Sequence, residues 1–193
     1  MEKINVHADF GHWKYDGEIP TDTYGFIYCI ENIVTGKKYV GKKQMLHVKK
    51  LKPLKGKKNK RHFIEETDWK EYTSSSNELN DDIVRYGMDN FSFKIIRLCI
   101  NKWELAYYEA KYQFDHDVLI NENYYNGIIN LRIGKIPKKS KENFNFEIIR
   151  LCNSKWELAY HEAKYQFDHD VLLSENYYNG IINLRLPRRG KKH

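Results

Sequence analysis

Residues 90–132 recur almost unchanged as residues 143–185, and this tandem copy restricts how the chain can fold more than any other feature. Across 43 aligned positions only seven differ, at residues 92, 94, 100, 101, 108, 120 and 121 of the first copy. Two copies do not make a solenoid, which needs about three or more units to bury a continuous core. The segments that precede the first copy occur only once, so a second copy cannot repeat the whole protein.

The composition is that of a folded protein with 193 residues, enough for one domain or one domain with an appendage. Hydrophobic residues make up 41% and aromatic residues 15%, which excludes wholesale disorder. No apolar run approaches the roughly 18 residues of a membrane helix, and the first residues do not resemble a secretory signal. Cys29, Cys99 and Cys152 are odd in number and widely spaced, which argues against a disulfide framework or a zinc site. We therefore expect a cytoplasmic protein without a membrane partner.

The basic residues are concentrated in one stretch. Twelve lysines and arginines and no acidic residue lie between Lys37 and Arg61, whereas the rest of the chain has more acidic than basic residues. Such a patch suits a polyanion, because neutralised phosphates release condensed counterions. The alternative is a solvated loop that only aids solubility. The patch begins inside a predicted β-hairpin, which favours nucleic acid.

That hairpin carries two tyrosines, Tyr28 and Tyr39, on either side of a Thr35-Gly36 turn. A two-residue turn pairs Tyr28 with Lys43 across the ribbon. Because side chains alternate between faces, one face then holds two phenols and two ammonium groups. This face is made of Tyr28, Ile30, Asn32, Lys37, Tyr39 and Lys43. A half-buried aromatic ladder with snorkelling lysines explains the same pattern.

The remaining elements follow from caps and periodicity. A short helix is predicted near residues 44–51, followed by a loop. Ser75 and Glu78 form a predicted capping box for a helix that Gly87 ends. A strand over residues 91–99, a helix from Lys102 and a short strand from residue 128 complete the first copy. The second copy is predicted to repeat this strand and helix, which would place both Cys99 and Cys152 in apolar strands.

The helix from Lys102 presents one packed face formed by Trp103, Ala106, Tyr107, Ala110 and Phe114. Glu109 lies at the border of that face, where a carboxylate can meet an ion at a cleft. A single glutamate on a helix is otherwise an ordinary solvated residue, so Glu109 is informative only in combination with the hairpin.

In combination, "GFIY", "YVGKK", the helix ending at Gly87, the next strand and Glu109 resemble the GIY-YIG nuclease superfamily. The arrangement is most similar to phage free-standing, Seg-like homing endonucleases and covers roughly residues 24–132. The resemblance implies an α/β (α+β) fold, with a small three-stranded antiparallel sheet flanked by helices and a duplicated C-terminal strand–helix segment. The expected domain order is an N-terminal extension (1–23), a nuclease domain (24–134), a basic linker (135–142) and the tandem copy with its basic tail (143–193).

The resemblance also implies roles for individual residues. Tyr28, Tyr39, Gly41 and Lys42 match the motif, and Glu109 matches the metal-binding glutamate. Lys49 or Arg61 takes the place of the family's phosphate-binding arginine, and Ser74 or His62 that of a histidine found in some members. The late asparagine of the family matches Asn126 or Asn130. The lysines expected to bind DNA are Lys43, Lys50, Lys52, Lys55, Lys57, Lys58 and Lys60.

The implied activity is hydrolysis of phosphodiester bonds in double-stranded DNA. Glu109 would hold Mg²⁺ (or Mn²⁺), a hard ion that prefers oxygen ligands, and Tyr39 would act as the general base. Host-cell cytoplasm is the expected location if the gene is carried by a phage. The alternative is a DNA- or RNA-binding protein that keeps the fold and does not cleave.

The second copy carries Glu162, Asn179 and Asn183 but no hairpin. We expect the first copy to complete the site. The second copy would then pack alongside it or pair with another molecule, as a homodimer or by segment exchange. The alternative is a duplication that has no role.

Overall fold

The computed structural model describes residues 9–53, 60–134, 147–177 and 179–188. The chain divides into two compact units, residues 1–105 and 106–193. Its helices and antiparallel sheets, one of them three-stranded, confirm the predicted mixed α/β (α+β) class. No helix in the described ranges is long and apolar enough to cross a membrane. The predicted linker, residues 135–142, lies outside the described residues, and the predicted domain boundaries stay a prediction.

The first unit is built on a three-stranded antiparallel sheet of β1 (Gly25–Asn32), β2 (Lys38–Gln44) and β5 (Phe91–Cys99), in the order β2-β1-β5. Tyr28 pairs with Gly41, which corrects the predicted pairing of Tyr28 with Lys43. The connection comprises the five residues 33–37 and is not a two-residue turn. Its cause is Asn32, whose side-chain oxygen accepts the backbone N–H groups of Val34 at 3.0 Å and Thr35 at 3.2 Å.

The other edge of the sheet is extended by the N-terminal segment. Lys14 forms a parallel bridge with Lys94 of β5, and Trp13 beside it is 3% exposed. The indole of Trp13 donates to the carbonyl of Trp69 at 2.6 Å, and Trp69 is fully buried.

The basic stretch forms a second, two-stranded ribbon. Strand β3 (Leu46–Leu51) pairs with β4 (Arg61–Glu66). The predicted helix near residues 44–51 is therefore wrong. Alternation of polar and apolar residues in "LHVKKL" suits a ribbon, and its partner strand satisfies backbone groups that a helix of this length would leave open.

Helix α1 (Asn77–Tyr86) begins one residue later than predicted. Its N-cap is Ser76, whose hydroxyl accepts the Leu79 N–H, and not Ser75. Gly87 ends the helix with φ of 84°, a conformation that favours glycine, as predicted. A short 3-10 turn at Met88–Asn90 then leads into β5.

Helix α2 (Lys102–Asp115) starts in the first unit and continues into the second, which also contains β6 (Ile128–Gly134), α3 (Lys155–Asp168) and β7 (Ile181–Pro187). Both long helices are capped by the side chain of the residue that precedes them. Asn101 Oδ1 accepts the Glu104 N–H at 2.9 Å, and Ser154 Oγ accepts the Glu157 N–H at 3.1 Å. Strands β6 and β7 form an antiparallel pair between the two copies.

The described part of the second copy's β5 counterpart, residues 147–152, has no strand, which corrects the prediction of a second strand. Ile95 is 2% exposed in β5, whereas its counterpart Ile148 is 78% exposed. Likewise Leu105 is 4% exposed and Leu158 is 56% exposed. A strand needs a neighbour for its backbone groups, and β1 exists once and pairs with the first copy.

The cysteines test this difference between the copies. Burial raises the pKa of the Cys99 thiol to about 11 and also raises the pKa of Cys29. Cys152, the counterpart of Cys99, lies in the strandless segment and is only half-buried. In the native protein at pH 8 we expect Ellman's reagent to label one thiol at least about 10-fold faster than the other two, because the thiolate is the reactive form. Cys152→Ser should remove the fast phase, and equal rates for all three thiols would contradict the structure.

Candidate nuclease site

Tyr28 and Tyr39 lie side by side on the β1–β2 hairpin. Their ring centroids are 6.1 Å apart with an interplanar angle of 33°. Tyr28 is 1% exposed, because Trp13 packs on it at 4.8 Å and Phe26 at 6.1 Å. Tyr39 is half-buried and remains open to solvent on one side. The Tyr28 phenol is therefore fixed by its neighbours, whereas the Tyr39 phenol is accessible to solvent.

Gly41 is the reason that the two rings can lie so close. It pairs with Tyr28 across the strands, so the Tyr28 ring covers its backbone. A Cβ at residue 41 would lie 2.6 Å from the Tyr28 hydroxyl oxygen and 2.8 Å from Cε1 of Tyr39. The missing side chain makes the space in which both phenols sit, which gives a physical reason for glycine at this place in the motif.

Gly41→Ala should therefore destabilise the protein. Overpacking a filled site costs typically about 1–3 kcal/mol in the free energy of unfolding, because two rings must move. Urea denaturation followed by circular dichroism measures this cost. Gly127→Ala is the matched control, since no atom lies within 4 Å of a Cβ built there. An equal and small effect of both substitutions would show that Gly41 does not make room for the rings.

The ammonium group of Lys43 lies on the same face of the hairpin as the two tyrosines. Its Nζ lies 3.6 Å from the ring centroid of Tyr72 and 2.6 Å from Oδ1 of Asp68. The hydrogen bond from Lys43 holds the pKa of Asp68 below its usual range. The Tyr72 ring in turn meets Tyr28 at 6.4 Å. Lys43, which was predicted to bind DNA, lies beside the tyrosine pair with 15% of its side chain exposed, and its role in DNA binding stays a prediction.

Tyr39 also meets the start of helix α1. Its hydroxyl lies 3.2 Å from Oγ of Ser75, the exposed residue before the Ser76 cap. Ser74, the residue expected in place of the family histidine, is buried. Its hydroxyl accepts the Ser76 N–H at 3.1 Å and donates to Asn80 Oδ1 at 3.3 Å. Ser74 thus supports the helix start, and Ser75 is the serine beside the tyrosine.

The N-terminal segment lines one side of the tyrosine site, which was not predicted. His12 lies 3.1 Å from the Tyr72 carbonyl through Nε2, and its ring packs on Phe93 at 4.2 Å. Burial lowers the pKa of His12, so its neutral form is favoured. The clustering of Trp13 with Tyr15 before the hairpin was the available signal, but only the fold shows that this segment reaches β5.

The remaining predicted residues of the first unit divide between the sheet and the ribbon. Lys42 is half-buried and, by strand alternation, belongs to the face opposite Tyr39. Lys49 pairs with Glu65 at 2.5 Å across the ribbon. Arg61 and His62 are exposed on β4. Lys50, Lys52 and Lys60 are exposed, and Lys55, Lys57 and Lys58 lie outside the described residues.

Glu109, Asn126 and Asn130 belong to the second unit. Glu109 is half-buried on α2, Asn126 is 2% exposed, and Asn130 is exposed on β6. The convergence of these groups with the tyrosines stays a prediction. In the same unit a cavity of about 790 Å³ is lined by the second copy, including Glu162 and Asn179, the counterparts of Glu109 and Asn126.

The predicted ion, Mg²⁺ or Mn²⁺, stays a prediction. Within the described ranges no three His, Cys, Asp or Glu side chains come together as a metal-binding group. Zinc requires three or four protein ligands, whereas Mg²⁺ is commonly held by one or two carboxylates, with water and substrate phosphates completing its shell. A single half-buried glutamate such as Glu109 fits the second arrangement.

The three-stranded antiparallel sheet, with paired tyrosines over a glycine, agrees with the arrangement expected from the resemblance to the GIY-YIG class. A family model described as "Putative endonuclease segE, GIY-YIG domain" matches residues 10–129 and 133–182. These residues make up more than half of the chain, and the chain therefore belongs to this Seg-like family. The predicted recognition is confirmed. No curated protein and no solved structure matches the chain.

Proposed function

We propose that the protein is a metal-dependent DNA endonuclease of the homing type, in which Tyr39 takes the proton of the attacking water. The observation that carries this proposal is the pair of phenols over Gly41, 6.1 Å apart, in a chain that belongs to an endonuclease family. Of the two, Tyr39 is the accessible ring, so it is the one that can reach a water beside a phosphate.

Tyr28 is the positioning residue in this proposal. Its burial against Trp13 and Phe26 fixes the ring, and the ring supports Tyr39 from beneath. Lys43 supplies positive charge at the same face, and its ion pair with Asp68 holds it in place. A free phenol has a pKa of about 10 and is a weak base at neutral pH, so nearby cations must favour its deprotonated form.

Glu109 would hold the metal ion, with Mg²⁺ or Mn²⁺ as the candidates. When bound, such an ion supplies positive charge to the phosphate and to the leaving oxygen. Asn126, which is buried, and Asn130, which is exposed, are the candidate amides of the same region. Lys49 and Arg61 are the candidate phosphate-binding cations. Arg61 is the better candidate of the two, because Lys49 already pairs with Glu65.

The β3–β4 ribbon is proposed as the DNA-binding surface. Lys50 is exposed on it, Lys52 and Lys60 are exposed beside it, and none of the three has an acidic partner within the described residues. Phe63 is 53% exposed and Ile64 43%, so the ribbon offers apolar contacts between its cations. Exposed cations on a narrow ribbon fit a groove of duplex DNA, and their contribution falls with salt.

A plasmid cleavage assay tests the proposal. Supercoiled plasmid should become nicked or linear in Mg²⁺ and stay intact in EDTA, and excess Mg²⁺ added after EDTA should restore cleavage. Gel-shift measurement in EDTA should still detect binding to duplex DNA. Binding without any metal-dependent cleavage would favour the alternative of a non-catalytic nucleic-acid-binding protein on the same fold.

A further inference from the structure

The two copies contact each other reciprocally, as two identical subunits do across a twofold axis. The Tyr107 hydroxyl donates to Asp170 Oδ1 at 2.6 Å, and its counterpart Tyr160 donates to Asp117 Oδ1 at 2.6 Å. Each contact is thus the other shifted by 53 residues with the copies exchanged. The two aspartates even share an unusual backbone, with φ of 50° at Asp117 and 47° at Asp170.

The lysines repeat the same exchange. Lys111 Nζ donates to the Phe167 carbonyl at 2.8 Å, and its counterpart Lys164 donates to the Phe114 carbonyl at 3.0 Å. Lys111 also lies 3.0 Å from Asp170, as Lys164 lies 3.1 Å from Asp117. Each of these tyrosine, lysine and aspartate groups therefore has a partner that a second molecule of the same sequence would also provide.

Residues on the axis meet their own counterparts. Phe114 stacks on Phe167 with centroids 5.2 Å apart, and both are fully buried. In the β6–β7 pair Leu131 faces Leu184. On either side of that position the register is again reciprocal, with the pairs Ile129–Leu186 and Ile133–Ile182. A self-complementary interface of this kind is the isologous interface of a homodimer.

We infer that residues 106–134 form a homodimerisation surface, and that the second copy occupies this surface in place of a second molecule. The partner that fits it is another copy of the same segment. The charged interface residues Lys111 and Asp117 of the first copy are identical to Lys164 and Asp170 of the second. In these charges a first copy is therefore as complementary to a first copy as to a second. This inference rests on the contacts within the second unit and does not depend on nuclease activity.

The test is the mass of the full chain by sedimentation equilibrium. The wild type should be a monomer of 23.2 kDa at about 10–200 µM, because a covalently linked partner acts at an effective concentration of order mM. The double variant Lys164→Asp with Asp170→Lys places like charges opposite Lys111 and Asp117, so the two copies of one chain repel each other. In two first copies from different molecules, Lys111 and Asp117 still meet residues of opposite charge. This variant should form dimers or larger assemblies that increase with concentration.

A charge-swapped control separates complementarity from simple damage. Adding Lys111→Asp and Asp117→Lys to the double variant restores opposite charges between the copies of one chain, and this fourfold variant should return to a monomer. A dimeric wild type overturns the inference, and so does a double variant that is folded by circular dichroism and monomeric at every concentration.

A cysteine pair covers the case in which the double variant does not fold. Asn130 and Arg185 face each other across β6 and β7 and are both exposed. Asn130→Cys with Arg185→Cys, oxidised in a protein that also carries Cys152→Ser, should give a cross-linked monomer on a non-reducing gel. A cross-linked dimer as the main product would show that the surface is filled by a second molecule, which contradicts the inference.

Discussion

Tyr39→Phe is expected to reduce plasmid cleavage in Mg²⁺ by about 10²- to 10⁴-fold, the usual contribution of a positioned general base. The substitution removes one hydroxyl group and keeps the ring that packs beside Tyr28 at 6.1 Å. Cleavage should fall because no other phenol of this pair is open to solvent, Tyr28 being 1% exposed. The rate of conversion of supercoiled plasmid measures the effect.

Tyr86→Phe is the matched control for this prediction. Tyr86 lies at the end of α1, where its ring meets Arg85 at 5.3 Å and the tyrosine pair is not involved. Its variant should cleave at the parent rate. Thermal denaturation of both variants should agree within about 0.5 kcal/mol of the parent, as expected for substitutions that keep the packing. A Tyr39→Phe protein that is folded and fully active would rule out Tyr39 as the general base.

Glu109→Ala is expected to abolish metal-dependent cleavage, whereas Glu162→Ala is expected to leave it unchanged. The two glutamates occupy equivalent positions on α2 and α3. They differ in what precedes them, because α2 follows β5, which pairs with β1, and α3 follows a segment without a strand. Loss of the carboxylate proposed to hold the metal should cost at least about 10²-fold, because a bound ion would supply several kcal/mol of charge stabilisation.

The two variants control each other, since the same change is made in the same local sequence. Both should still bind duplex DNA in EDTA, because neither glutamate lies on the basic ribbon. Comparison of initial rates over a range of Mg²⁺ concentrations separates weaker metal binding from loss of chemistry. Equal losses in the two variants would show that both copies serve the site, and a loss in Glu162→Ala alone would assign it to the second copy.

The hairpin shows what the alternation of side chains between the two faces of a strand can and cannot predict. The predicted pairing was wrong by two residues, because a two-residue turn at Thr35-Gly36 ignored the hydrogen bonds that Asn32 makes in the loop. The prediction that Tyr28, Tyr39 and Lys43 share a face was nevertheless right, because a shift of two residues keeps every side chain on its face. The roles of these residues remain predictions for the assays above.

The basic stretch shows the opposite outcome. Charge alone located it correctly, but its conformation was predicted as a helix and is a strand. Leu46–Leu51 has no strong helical periodicity, and its partner β4 begins ten residues after β3 ends, so local propensity could not reveal the ribbon. His12 and Tyr72 line the tyrosine site although they are distant from the hairpin in sequence, and they were missed for the same reason.

The sequence by itself determined the features that depend on neighbours along the chain. These are the caps at Asn101 and Ser154, the end of α1 at Gly87, the shared face of the hairpin and the family to which the chain belongs. Tertiary structure decided the rest. Nearly identical segments became a buried strand at residues 91–99 and an exposed strandless stretch at residues 147–152, because the single strand β1 can satisfy the backbone groups of only one of them on that edge.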